Sequence, residues 1–175
     1  GLIVQTSQAG GHSATFTPGR PRRPVPLTEV IAETRHATTL PVIAAGGLAT
    51  AEDVAGAVAA EAEAVLVGTA LLRSDESGAS ATHRSALADP AFTTTVVTRA
   101  FTGRPARALR NRFIDHFGPI APLGYPAVHH LTGPLRKAAT AAGDTGLVHL
   151  WAGTGFRRAR AEPAARALER LAEKL

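Results

Sequence analysis

The opening third of the chain alternates short apolar runs with helix-periodic stretches, and this alternation restricts the fold more than any other feature. Leu2-Ile3-Val4 reads as a strand running into the polar loop Gln5 to His12. Leu27, Val30, Ile31 and Thr34 then recur at helical spacing over about 27–37. Leu40-Pro41-Val42-Ile43-Ala44-Ala45 is a continuous apolar run of the kind buried on both faces in a parallel sheet, and Gly46-Gly47 ends it. Thr50 followed by Asp53 has the form of a capping box for a helix over about 51–60, with Val54 and Val58 on one face. Ala64-Val65-Leu66-Val67 is a third strand, ending in Gly68-Thr69. Strand, helix, strand, helix, strand at this spacing predicts right-handed βαβ units on a parallel sheet, hence an α/β fold.

In such a sheet all strands end on the same side, where ligands bind. Three ends follow one another here: Gln5 to His12, Gly46-Gly47 and Gly68-Thr69. Glycine lets backbone N–H groups approach an anion without an intervening Cβ, and a helix N-terminus just beyond adds partial positive charge. The pair Gly46-Gly47 and Gly68-Thr69 is therefore expected to cradle a phosphate. Neither a GxGxxG nor a GxxxxGK[ST] pattern occurs, so the dinucleotide fingerprint and the P-loop are both absent.

Beyond Leu72 the pattern changes. Helices are expected at about 78–88, 90–100 and 127–142, with an Arg-rich turn from Thr102 to Arg112 and irregular chain around Pro119, Pro122 and Pro126. The stretch 159–175 reads as an amphipathic helix with Pro163 in its first turn and Leu168, Leu171 and Leu175 as one stripe. The expected division is a partial β/α barrel over 1–75, a helical subdomain over 76–150, and a C-terminal segment with a packing helix over 151–175.

Composition removes several function classes. Cysteine is absent, which excludes disulfides, thiolate metal sites and a thiol nucleophile. The net charge is +5, but the arginines are scattered and no aromatics interleave with them, so nucleic acid is not an expected partner. No apolar run is long enough to span a membrane, and no leader is evident at Gly1, so the expected location is the cytoplasm. Adjacent His129 and His130 lack the i,i+4 spacing of a helical metal pair, and no metal is expected. His36, His83, His116 and His149 show no constellation.

Several segments resemble the nitronate monooxygenases, formerly 2-nitropropane dioxygenases. Gln8-Ala9-Gly10-Gly11-His12 is similar to the family's Glu-Ala-Gly-Gly-His motif. Pro41 to Ala49 resembles its seventh strand and phosphate loop, and Val65 to Thr69 its eighth. Thr102-Gly103-Arg104-Pro105-Ala106-Arg107, Arg110-Asn111-Arg112-Phe113 and Leu150-Trp151-Ala152-Gly153 fit the family's C-terminal part. The resemblance implies the C-terminal portion, about strands 6–8, of an FMN-binding TIM (β/α)₈ barrel plus a mostly helical second subdomain. It implies FMN as cofactor and oxidation of alkyl nitronates or nitroalkanes by O₂ to a carbonyl compound and nitrite. Gln5, Gly10 and Gly11 would lie along the flavin; Gly46, Gly47, Leu66, Val67, Gly68 and Thr69 would meet its phosphate; His12 matches the active-site base. Tyr125 is a candidate for the substrate pocket, and an oligomer is left open.

Departures from the family pattern are Thr6 and Gln8 where Gly and Glu are usual, Thr154 after Trp-Ala-Gly, and Glu61 in place of a helix-terminal Gly. A left-handed backbone at Glu61 would cost about 1–2 kcal/mol. A barrel needs about 250 residues, and this sequence supplies three strands of it. Together with the missing methionine this leads to the expectation of a piece of a longer protein, which on its own would hold FMN poorly. The alternatives are an FMN-dependent enoyl-acyl-carrier-protein reductase and a non-catalytic truncated remnant.

Overall fold

The computed structural model describes residues 1–20 and 24–175. Pro21, Arg22 and Arg23, part of the expected Pro- and Arg-rich loop, lie outside the described residues. In chain order the elements are β1 (Leu2–Gln5), β2 (Gly11–His12), α1 (Leu27–Ala37), β3 (Val42–Ala45), α2 (Ala51–Ala59), β4 (Ala64–Leu66), α3 (Ala81–Ala88), β5 (Thr95–Thr98), β6 (Ala106–Leu109), α4 (Arg112–Phe117), α5 (Ala127–Ala141) and α6 (Ala164–Ala172). They fall into two compact units. One holds Gly1–Ala9, the stretch from α1 to Gly78, and Gly153–Leu175; the other holds Gly10 to Arg20 and Ala79–Ala152.

The first unit is built on a parallel sheet of order β1-β3-β4. Its register places Gln5 opposite Ala45 and Ala45 opposite Leu66, so the three strands end in one row. The central strand is buried as the sequence predicts, with Val42 and Ala44 fully covered. Ile31 of α1, also fully covered, packs on it with Leu48 and Ala57. Each such aliphatic side chain contributes roughly 1.5–3 kcal/mol on burial. The flanking strands are more exposed than the central one: Ile3 is 61% exposed and Leu66 54%. They are sheet edges, and among the described residues no further strand covers them.

Helix α2 begins with the predicted capping box. Thr50 Oγ1 accepts from Asp53 N, and Asp53 Oδ2 accepts from the amides of Ala49 and Thr50. At its far end Glu61 adopts φ +70°, with its amide donating to the Val58 carbonyl and that of Ala62 to the Ala57 carbonyl. This is a Schellman closure with glutamate at the position glycine favours. Helix α6 is shorter than the expected 159–175 span. It buries Ala167 and Leu171, while Leu168 and Leu175 are exposed, so the leucine stripe is only partly used.

The second unit carries the helices α3, α4 and α5, but it departs from expectation in also having strands. It contains an antiparallel sheet of order β2-β6-β5. The expected helix at 90–100 is replaced by β5, since Thr93 to Thr98 is an unbroken β-branched run that suits a pleated surface better than a helix. The expected Arg-rich turn contains β6, whose Ala106 pairs with both His12 and Thr98. A core of Phe101, Phe113, Ile114 and Ala108 lies against this sheet, with the Phe101 and Phe113 rings stacked at 4.5 Å. No helix among the described residues is long and apolar enough to cross a membrane.

Candidate functional site

The residues expected to meet a phosphate lie in the first unit, at one rim. Gly46-Gly47 follow β3 and Val67-Gly68-Thr69 follow β4, and these strands pair directly with Ala45 opposite Leu66. Gln5, at the end of β1, lies in the same row. Gly46 and Gly47 take φ values of +103° and +82°, which side chains with a Cβ rarely adopt. A Cβ on Gly46 would approach Thr6 Oγ1 to 2.7 Å, and one on Gly47 would run into the Gln8 side chain. The residues that depart from the family motif, Thr6 and Gln8, are thus the ones packed beneath this turn.

The rim has the donors an anion requires. Among the described residues, the amides of Gly46, Gly47, Gly68 and Thr69 donate to no described group. Unmatched backbone donors gathered at adjacent strand ends fit a phosphate. A Cβ on Gly68 would meet nothing within 4 Å, so the space before that residue is open. The α2 N-terminus supplies less than the sequence suggested, because the capping box consumes the amides of Ala49, Thr50 and Asp53. The C-terminal segment braces the rim instead: Gly153 N donates to Thr69 Oγ1 at 2.9 Å, and Thr154 N to the Gln8 carbonyl at 3.0 Å.

Gly10, Gly11, His12 and Tyr125 fall in the second unit. His12 is fixed by β2, whose partner β6 holds it opposite Ala106. Its Nε2 lies 2.9 Å from Thr102 Oγ1. The Tyr125 ring meets it edge-on at 5.4 Å between centroids, and the Trp151 ring lies at 5.7 Å. Burial, then the positive charge of Arg104, then His129 hold its pKa below the ordinary value. The result is an imidazole biased toward its neutral form, with one nitrogen tied down and two aromatic rings beside it.

The remaining histidines are less isolated than the sequence suggested. Arg136 of α5 is buried and donates to His149 Nε2 at 3.2 Å, to His129 Nδ1 at 3.3 Å and to the His129 carbonyl at 2.8 Å. Its described partners include no carboxylate. Burial and then Arg136 push the His149 pKa down to about 4. His149 Nδ1 and His83 Nε2 are both buried without a hydrogen-bond partner. These side chains come from α3, α5 and the loop before Trp151, elements far apart in sequence, and no spacing rule links them. His129 and His130 are adjacent on α5, and their rings meet edge-on at 5.4 Å. Among the described residues no group of three or more His, Asp or Glu could hold a metal.

Sequence reasoning gave no role to Thr102, Arg104 or Trp151, although all three lie in segments that carry the family resemblance. The signal was present in Thr102-Gly103-Arg104 and Leu150-Trp151-Ala152-Gly153, but only the folded strands bring those segments to His12.

A family model and a curated relative point to the same family. The sequence model of the family described as nitronate monooxygenase matches residues 1–173. A "probable nitronate monooxygenase" from Staphylococcus aureus (strain Newman) is 38% identical over 170 residues, covering 93% of this chain and 47% of the relative. Among solved structures, nitroalkane oxidase from Streptomyces ansochromogenes is similar with a TM-score of 0.92 and 49% identity, over 99% of this chain and 50% of that one. FabK from Thermotoga maritima is similar with a TM-score of 0.77 and 25% identity, over 98% of this chain and 53% of that one. The chain spans about half the length of the relatives it matches.

Proposed function

The chain belongs to the nitronate monooxygenase family, and from that premise we propose that it carries the flavin-phosphate rim and the proton-accepting histidine of an FMN-dependent enzyme acting on nitroalkanes and their nitronates. One observation carries the reading: four backbone amides without a described acceptor, those of Gly46, Gly47, Gly68 and Thr69, stand at the ends of two paired parallel strands. Those residues would hold the FMN phosphate, with Val67 and Leu66 completing the loop and Gln5, Gly10 and Gly11 along the flavin. When bound, FMN supplies the redox chemistry by which a nitronate is oxidised with O₂ to a carbonyl compound and nitrite.

His12 has a separate task. A neutral nitroalkane must lose its α-proton before it becomes the electron-rich nitronate. An imidazole that is unprotonated at neutral pH, as His12 is held, accepts that proton and leaves the electron pair on the nitro group. Tyr125 and Trp151 wall the imidazole and would exclude water on those sides. The greater likeness to the nitroalkane oxidase than to FabK, 49% against 25% identity, favours nitroalkane chemistry over the reductase alternative.

Nitrite release tests the proposal. The flavin-loaded protein should form nitrite from a neutral nitroalkane and from its preformed nitronate. H12N should lower kcat/KM for the neutral substrate by about 10²–10⁴-fold while affecting the nitronate far less. Equal loss on both substrates would remove His12 from proton transfer. Absence of nitrite with either, alongside reduction of an enoyl thioester, would transfer the protein to the reductase class.

A further inference from the structure

We infer that Thr102 is a positioning residue that sets the tautomer of His12 and so selects Nδ1, not Nε2, as the atom that accepts the substrate proton; this rests on the reading of His12 as the base. The donors and lone pairs around one hydroxyl decide the tautomer. Thr102 is 1% exposed, and its Oγ1 has three polar neighbours: the Arg104 carbonyl at 3.1 Å, the Arg104 amide at 3.3 Å and His12 Nε2 at 2.9 Å. A threonine hydroxyl has one proton and two lone pairs.

The Arg104 carbonyl can only accept, and the Arg104 amide can only donate. All three contacts are satisfied in a single arrangement: the hydroxyl proton goes to the carbonyl, and the two lone pairs take the Arg104 N–H and a proton carried on His12 Nε2. Turning the hydroxyl toward His12 would leave the Arg104 carbonyl without its described donor, at a cost of about the net worth of a hydrogen bond or more. The neutral imidazole is therefore protonated at Nε2 and carries its lone pair on Nδ1, which makes no hydrogen bond to any described residue.

The consequence for the reaction is specific. The α-carbon–hydrogen bond of the nitroalkane breaks, the proton moves to His12 Nδ1, and the bonding pair stays with the substrate as the nitronate. The imidazolium so formed keeps its Nε2–H bond to Thr102, which becomes charge-assisted. Arg104 serves twice in this arrangement. Its backbone occupies two of the hydroxyl's three positions, and its guanidinium donates to the carbonyls of Ser13 and Thr15, holding the chain just past His12.

The test is imidazole ¹⁵N NMR on the flavin-loaded protein expressed from its complete gene, with steady-state kinetics on the same samples. His12 should read as the Nε2–H tautomer in the wild type and in T102S, and should lose that preference in T102V. T102V should lower kcat/KM for a neutral nitroalkane about tenfold or more while leaving the preformed nitronate within about threefold. An Nδ1–H tautomer in the wild type overturns the proposal without any variant, and so does a T102V protein that keeps the wild-type tautomer. If the tautomers come out as expected but H12N still turns over the neutral substrate, the base assignment has failed and Nδ1 loses its role, a failure distinct from that of the Thr102 contact.

Discussion

An imidazole that is to accept a proton at neutral pH has to be unprotonated before the substrate arrives, and the surroundings of His12 favour that state. Burial contributes most, followed by the charge of Arg104 and then His129, and each lowers the pKa below 6.5. The sign follows directly: the acidic limb of kcat/KM for a neutral nitroalkane should fall below pH 6.5, with a plateau above it. R104Q removes one of the depressing charges and should move that limb upward, toward the ordinary histidine value, whereas R104K should leave it near the wild-type position. A pH–rate profile of the three proteins checks this, and an unmoved limb in R104Q would mean that burial and His129, not Arg104, set the shift. At this scale the sequence singles out His12 through Gly10-Gly11-His12, but it gives a loop where the structure has the short strand β2 paired with β6. Thr102, Trp151 and the Arg136–His149–His129 cluster were not legible. Their partners are set by strand pairing and helix packing, which no local spacing encodes.

At the scale of elements, the alternation of strands and helices in the first unit is readable because buried β-branched and alanine-rich runs leave a strong local pattern, and α2 even shows its capping box in the sequence. The second unit misleads for an equally physical reason. Its strands are short, and the pairs β2–β6 and β5–β6 are antiparallel contacts between segments whose own periodicity is weak. Thr93 to Thr98 is β-branched throughout, and that local preference favours the strand β5 over the helix expected at 90–100. Helix α2 also carries a small local strain. Glu61 closes it at φ +70°, a conformation that costs a residue with a Cβ about 1–2 kcal/mol. E61G should therefore raise stability by about 1 kcal/mol in urea or thermal unfolding, with no change in flavin affinity. A loss of stability would mean that the glutamate side chain makes a compensating contact.

For the whole molecule, the rim formed by β3 and β4 is the feature on which the functional account depends. The family resemblance reaches nearly the entire chain, yet the chain spans about half the length of its relatives, and β1 and β4 remain open edges of their sheet among the described residues. A parallel sheet of three strands with open edges was visible in the sequence; which strands form those edges follows only from the observed order β1-β3-β4. The account assigns the binding of FMN largely to its phosphate, held by the amides of Gly46, Gly47, Gly68 and Thr69. The direct measurement is a pair of fluorescence titrations of the purified protein, one with FMN and one with riboflavin, which lacks only the phosphate. The account predicts FMN binding tighter by on the order of 10–100-fold, equivalent to about 1.4–2.8 kcal/mol; equal affinity for the two flavins would contradict it.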